Sequence, residues 1–146
     1  MTLKDVIFSA RGRIGRKDFW LAVLLIVVLS VPLRLLGEVG DLIGLAFLFP
    51  HVCLFAKRLH DLGRSGWLAA ALYGPSLAVG FAIGALGDEQ GEPPLWLSLT
   101  AVVVMIASAA FFFRTALTRG QPEPNAYGAP QPSYFGRKDA EAGIPG

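Results

Sequence analysis

The sequence predicts an all-α integral membrane protein: four transmembrane helices packed as a small bundle, a short amino-terminal interfacial helix and an extended carboxy-terminal tail. Three observations predict it. Of 146 residues, 53% are hydrophobic and only 16% charged, whereas soluble chains run nearer a quarter charged. Four apolar runs alternate with polar connections. The basic residues fall almost entirely on every second connection, the pattern of loops that face the cytoplasm.

The polar leader comes first. Residues 2 to 10, "TLKDVIFSA", place Leu3, Val6, Ile7 and Ala10 on one helical face, with Thr2 and Asp5 at capping-box-like spacing. A short helix lying on the membrane is expected there, followed by the basic "RGRIGRK".

The first apolar run, Phe19 to Leu36, has 18 positions and reaches about 27 Å as a helix, close to the hydrocarbon thickness. It reads as a retained signal-anchor rather than a cleaved signal, being long for that role and followed by three further runs. The second run, Leu42 to Ala56, is short and holds Pro50 and His51. By length it suits a re-entrant segment as well as a span. The third, Trp67 to Leu86, and the fourth, Leu95 to Phe113, carry no charge.

Charge decides between the two readings of the second run. Twelve of the 13 basic residues lie before the first run, between the second and third, or after the fourth; Arg34 alone does not. The connections at Glu38 and Asp41, and at Asp88, Glu89 and Glu92, hold acids and no lysine or arginine. Four spans with both termini cytoplasmic satisfy this asymmetry, and a re-entrant second run does not. The organisation is then a leader over 1–18, a transmembrane domain over 19–119 with spans near 19–36, 42–60, 67–86 and 95–113, and a Pro/Gly-rich mobile tail over 120–146.

Within the spans, Gly80 and Gly84 form a GxxxG pair that would let helices approach closely, by default within the chain. His51 has no acidic partner in any span, so capping a backbone carbonyl freed by Pro50 is its simplest role. Arg34 is expected to snorkel outward toward Glu38, and Cys53 to be an inert buried thiol. One cysteine excludes an internal disulfide.

The most polar stretch is "RLHDLGRSGW", residues 58 to 67. The His60–Asp61 pair is too little for a metal phosphohydrolase, and no CxxC, HExxH, GxSxG, P-loop or GxGxxG pattern occurs. No catalytic residue, cofactor or metal is expected. Instead, Lys57 and Arg58 stand one turn before Asp61 and can pair with it, with Arg64 as a further partner. Gly63 suits a helix C-cap, Ser65 caps the next helix and Trp67 anchors it at the interface. With Arg13 and Arg16, the arginines 58 and 64 would present a basic surface to anionic headgroups. Exchanging Arg58 and Asp61 in reverse is expected to recover the pair.

Three segments occur in order around the runs: "GRIGRKDFW" (Gly12 to Trp20), "RLHDLGRSGW" and "GQPEPNAYG" (Gly120 to Gly128). Together they resemble the bacterial inner-membrane family called domain of unknown function 805, over roughly residues 8 to 130. The resemblance implies a four-helix protein of the inner membrane with no assigned activity. It matches Gly12, Arg13, Arg16, Phe19 and Trp20 to the first motif, and Arg58, Leu59, His60, Asp61, Gly63, Ser65, Gly66 and Trp67 to the second. Asn125, Tyr127 and Gly128 match the third. Pro50 fits the pattern; His51 and Arg34 do not.

The function expected from these readings is a non-enzymatic scaffold or interaction module at the cytoplasmic face. Its partners would be the bilayer, anionic headgroups, and a membrane-protein partner or second copy. A net charge of +2 gives no reason to expect nucleic acid. The alternative is a small oligomeric transporter or channel component, which acids inside the spans would favour; none of the 11 acidic residues lies well inside one.

Overall fold

The computed structural model describes residues 7–87 and 91–133, and within them every element is helical apart from one isolated bridge between Asn125 and Gly128. Helix α1 runs Arg16–Ser30 and continues as a 3-10 segment, Val31–Leu36. Helix α2, Glu38–Ala46, leads at Phe47 into α3, Leu48–Asp61. A 3-10 turn, Gly66–Leu68, opens α4, Ala69–Leu86, and α5 runs Leu95–Leu117. The stretches Ile43–Asp61, Gly66–Leu86 and Leu95–Leu117 are long and apolar enough to cross a membrane.

Prolines and glycines explain where the elements depart from the four expected runs. The first run is not one continuous α-helix, because Pro32 sits just inside the 3-10 segment and cannot supply the N–H that an α-helix needs there. Gly37, at φ +59°, then turns the chain into α2. The second helical arm therefore starts at Glu38, before the expected 42, and is interrupted at Phe47. Pro50 falls in the first turn of α3, where a missing donor costs little. Of the expected leader helix only Ile7 and Phe8 are helical among the described residues, and positions 1–6 lie outside them. Ile7 is buried in the core rather than facing outward, while Phe8 is exposed.

The core lies toward one end of the bundle. Phe19, Ala22 and Ile26 of α1 meet Leu54, Phe55 and Leu59 of α3, with Ala69 and Leu72 of α4 and Ala116 of α5 closing around them. Aromatic rings fill the gaps: Phe55 stacks on Phe112 at 5.8 Å, and Trp20 meets Phe112 edge-on at 5.9 Å. Toward the far end, large apolar side chains such as Leu35, Phe81 and Leu95 stand exposed. A soluble protein leaves few contiguous apolar surfaces of this size.

Helix α4 packs most extensively against α5, with Ser76 and Ser108 hydroxyls 3.4 Å apart at the contact. The expected packing face does not form within the chain. Gly80 and Gly84 both face outward, and a Cβ added at either would meet nothing within 4 Å.

Candidate functional site

Helix α3 ends at Asp61, and that carboxylate joins two arginines. One turn back, Arg58 donates from Nη1 to Asp61 Oδ2 at 2.5 Å. From the extended segment before α1, Arg13 donates from Nε to Asp61 Oδ1 at 3.1 Å, with Nη2 at 3.0 Å from the same oxygen. All three are buried, Arg58 and Arg13 being 0% and 1% exposed. A buried ion pair needs its remaining donors satisfied, or the desolvation cost exceeds the attraction.

One carboxylate cannot balance two guanidinium groups, and backbone carbonyls supply the rest. Arg58 donates to Thr115 O at 3.2 Å, to Ile14 O at 3.3 Å and to Thr118 O. Arg13 donates to Glu123 O at 2.8 Å, to Gly128 O at 3.1 Å and to Gln121 O. Thr115 and Thr118 lie at the C-terminal end of α5, where the last carbonyls lack intrahelical donors and carry the negative end of the helix dipole. Arg16 adds a longer bond to Leu117 O at 3.4 Å. No buried side-chain nitrogen or oxygen is left without a partner among the described residues. The arrangement is a closed clasp.

Around it the second motif folds as local rules require. Gly63, at φ +70°, donates to His60 O at 3.0 Å, and Arg64 donates to Leu59 O at 2.9 Å, so the carbonyls at the end of α3 are capped in a Schellman pattern. Ser65 Oγ then accepts from Trp67 N at 3.3 Å and starts the next turn. Gly66 is needed for space, because a Cβ there would sit 2.9 Å from His60 Nε2.

The third motif folds back onto the second. Gln121 N donates to Asp61 O at 2.9 Å, and Asn125 Nδ2 donates to His60 O at 2.9 Å and to Gln121 Oε1 at 2.8 Å. Asn125 Oδ1 accepts from Tyr127 N at 2.9 Å, closing a tight turn. The Tyr127 ring stacks on His60, with centroids 3.9 Å apart and planes 7° from parallel. His60 Nδ1 lies 3.1 Å from Gly12 O, an acceptor only, so that nitrogen carries the hydrogen. Gly120 runs against the Asp61 carboxylate, leaving no room for a Cβ. Ser133 Oγ reaches Asp18 at 2.7 Å.

Several expectations change. Residues 120–128 are not a loose tail but part of the clasp, and Ser133 reaches back to Asp18; 134–146 lie outside the described residues. Asp61 pairs with Arg13, not Arg64, which is exposed. Arg13 and Arg58 are enclosed and spent on the chain's own carbonyls, so neither presents its charge to headgroups. Trp20 joins the aromatic core, whereas Trp67 is 86% exposed. His51 Nδ1 lies 2.9 Å from Phe47 O, at the start of α3, rather than at the carbonyl four residues before Pro50. Cys53 is buried, as its place in an apolar run predicts. The expected pairing of Arg34 with Glu38 lies outside the described side chains. Sequence reasoning missed Gln121 and Gly120, and the only signal for either was their place at the start of the third motif.

Chemically, the polar groups of the clasp are paired with one another and with the chain's own carbonyls. Among the described residues, no group of three or more histidines, cysteines or acids gathers to hold a metal. The one carboxylate at its centre is saturated by two guanidiniums.

The comparisons agree with the geometry in where they fall. The family described as "Protein of unknown function (DUF805)" matches residues 7–129, from the start of the described chain through the third motif. Two relatives, each named "Uncharacterized protein YiiR", from Escherichia coli strain K12 and from Escherichia coli O157:H7, are 41% identical over 73 residues, covering 45% of this chain. The match spans about half the length of those relatives, 50% in each case. No solved structure matches. With its three motifs joined in one clasp and 7–129 matched, the chain belongs to the DUF805 family.

Proposed function

We propose that the protein is a non-enzymatic scaffold of the bacterial inner membrane with four spans and both termini cytoplasmic. Its clasp holds the cytoplasmic helix ends together, and its outward basic residues meet anionic headgroups. The observation that carries this reading is the division of the arginines. Arg13 and Arg58 are used up inside, whereas Arg11, Arg16, Arg64, Arg114 and Arg119 are exposed at the same end of the bundle. Juxtamembrane basic residues of this kind are attracted to an anionic leaflet by about 1 kcal/mol each. The first arm supports a fourth span: 15 α-helical and six 3-10 residues reach about 34 Å together. The hydrocarbon layer is about 30 Å thick.

Reporter fusions after Gly40, Gly63, Gly91 and Ser133 test the topology. They should alternate, beginning outside. A cytoplasmic signal at Gly40 or Gly91 would sink the four-span reading, and equal binding of the purified protein to neutral and anionic vesicles would sink the headgroup contact.

A further inference from the structure

Three exposed arginines converge where α5 ends beside the turn after α3. Arg64, Arg114 and Arg119 line a cavity of about 250 Å³, together with Thr115, Thr118 and Gln121. Among the described residues, none of the three guanidinium groups has an ion-pair partner. This sets them apart from Arg13 and Arg58, which share Asp61 and are otherwise held by the chain's own carbonyls. Leu62 and Phe111 make the rest of the wall apolar; three guanidiniums without an ion-pair partner among the described residues, gathered at one concave site, suit a phosphate, which they can hold through charge-assisted bonds.

The cavity does not stand alone. Phe111 lines it, and also lines a groove of about 410 Å³ between α4 and α5. That groove is walled by Leu68, Ala71 and Pro75 on one side and by Val104 and Ala107 on the other. Positions 104, 107, 111, 114 and 118 recur at the three-to-four spacing of one helical stripe. The groove and the cavity are therefore successive parts of one face of α5, apolar first and cationic at its end. The stripe from 104 to 118 is about 21 Å long. Trp67, one residue before Leu68 in the chain, is 86% exposed, as suits a side chain at a headgroup boundary.

We propose that this face is a binding site for one anionic phospholipid. The phosphate sits among Arg64, Arg114 and Arg119, and one acyl chain lies in the α4–α5 groove past Phe111. A soluble anion would use the cavity and leave the groove idle, while a zwitterionic lipid would use both but bring its own ammonium up against three cations. Only an amphiphile with a net anionic head uses both unopposed. The site rests on the headgroup contact proposed above, but it is a single seat and not a general attraction.

The test uses the full chain in detergent, with retained lipid counted by native mass spectrometry. Phosphatidylglycerol and phosphatidylcholine with identical acyl chains are the probes, and inorganic phosphate is the competitor. One phosphatidylglycerol should be retained at a concentration at least about tenfold lower than phosphatidylcholine, because three cations meet a net anionic head in the first and a head that carries its own cation in the second. Replacing Arg64, Arg114 and Arg119 together by glutamine should erase that preference. Ala107→Trp, which fills the groove without touching charge, should weaken retention of phosphatidylglycerol by a similar factor. Circular dichroism and melting of each variant separate lost binding from lost folding, and Ala71→Phe gives a second groove block if Ala107→Trp unfolds. Displacement by millimolar phosphate would assign a free-anion site and overturn the proposal. Retention of phosphatidylglycerol that is unchanged in both groove variants but lost with the glutamines would leave only a charged surface, so the headgroup reading would stand and the site would fall. No preference in the unaltered protein would end both.

Discussion

Arg13 and Asp61 are 48 residues apart in the chain and meet at 3.0 Å in the interior, each belonging to a different motif. The pair changes how the polar turn after α3 should be understood. A turn held by Arg58 alone would be a local feature of one helix end. Held also by Arg13, it ties the segment before α1 to the end of α3, and the carbonyls that finish both guanidiniums tie in α5 and the chain beyond it.

Asp61→Asn should therefore be among the most damaging isosteric changes in the protein. It leaves two buried cations without a counter-charge, a loss of about 3–5 kcal/mol for a buried pair. Thermal unfolding in detergent should show it as a large fall in midpoint. A midpoint close to that of the unaltered protein would mean the clasp does not bear on stability.

Exchanging the charges, Arg58→Asp with Asp61→Arg, should not rescue the fold. Arg58 serves the carbonyls of Ile14, Thr115 and Thr118 as well as Asp61, and an aspartate there would face acceptors with another acceptor. The double variant should be no more stable than Asp61→Asn. Substantial recovery would show that the ion pair matters and the carbonyl contacts do not.

The fold-back segment should contribute in proportion to its contacts. Tyr127→Ala removes the ring stacked on His60, worth about 0.5–1.5 kcal/mol. Asn125→Ala removes donors to His60 O and Gln121 Oε1, at about 0.5–1.5 kcal/mol per bond. Each should lower the melting midpoint modestly and less than Asp61→Asn.

Glycines should divide by position. Gly120→Ala should destabilise strongly because its Cβ meets the Asp61 carboxylate, while Gly80→Leu and Gly84→Leu should leave the detergent-solubilised single chain as stable as before. A fall in melting midpoint for either leucine variant at concentrations where the chain is monomeric would show that this face packs within the chain after all.

Chelators should leave the melting midpoint unchanged. His60 and Asp61 are each committed to partners within the chain, His60 to Gly12 O and Tyr127 and Asp61 to two arginines. A midpoint lowered by chelator would reveal a metal.

The helical arms were legible because their signal is local. Apolar runs of span length read directly from composition, and the ends of α3 and the 3-10 turn followed from Gly63 and Ser65. The break at Pro32 and the early start at Glu38 were less legible, since both depend on how one arm meets the next. The clasp could be approached only as far as Arg58 and Asp61, which sit at helical spacing. That Arg13 and not Arg64 completes it depends on tertiary placement, which no spacing within one motif encodes. The tail misled for a related reason. Pro and Gly richness argues that a segment cannot build a core of its own, but residues 120–128 need no core when buried arginines require their carbonyls.

The fold-back has a consequence for the order in which the protein is made. Chain synthesis proceeds at about 5–20 residues per second from the amino terminus. Arg13, Arg58 and Asp61 therefore all exist before Gln121, Glu123 and Gly128, whose carbonyls complete Arg13. Until the third motif emerges, the nascent bundle carries a half-filled guanidinium at its end that only water or lipid can serve. Maturation of this protein is thus a late event, completed when its last motif closes over its first.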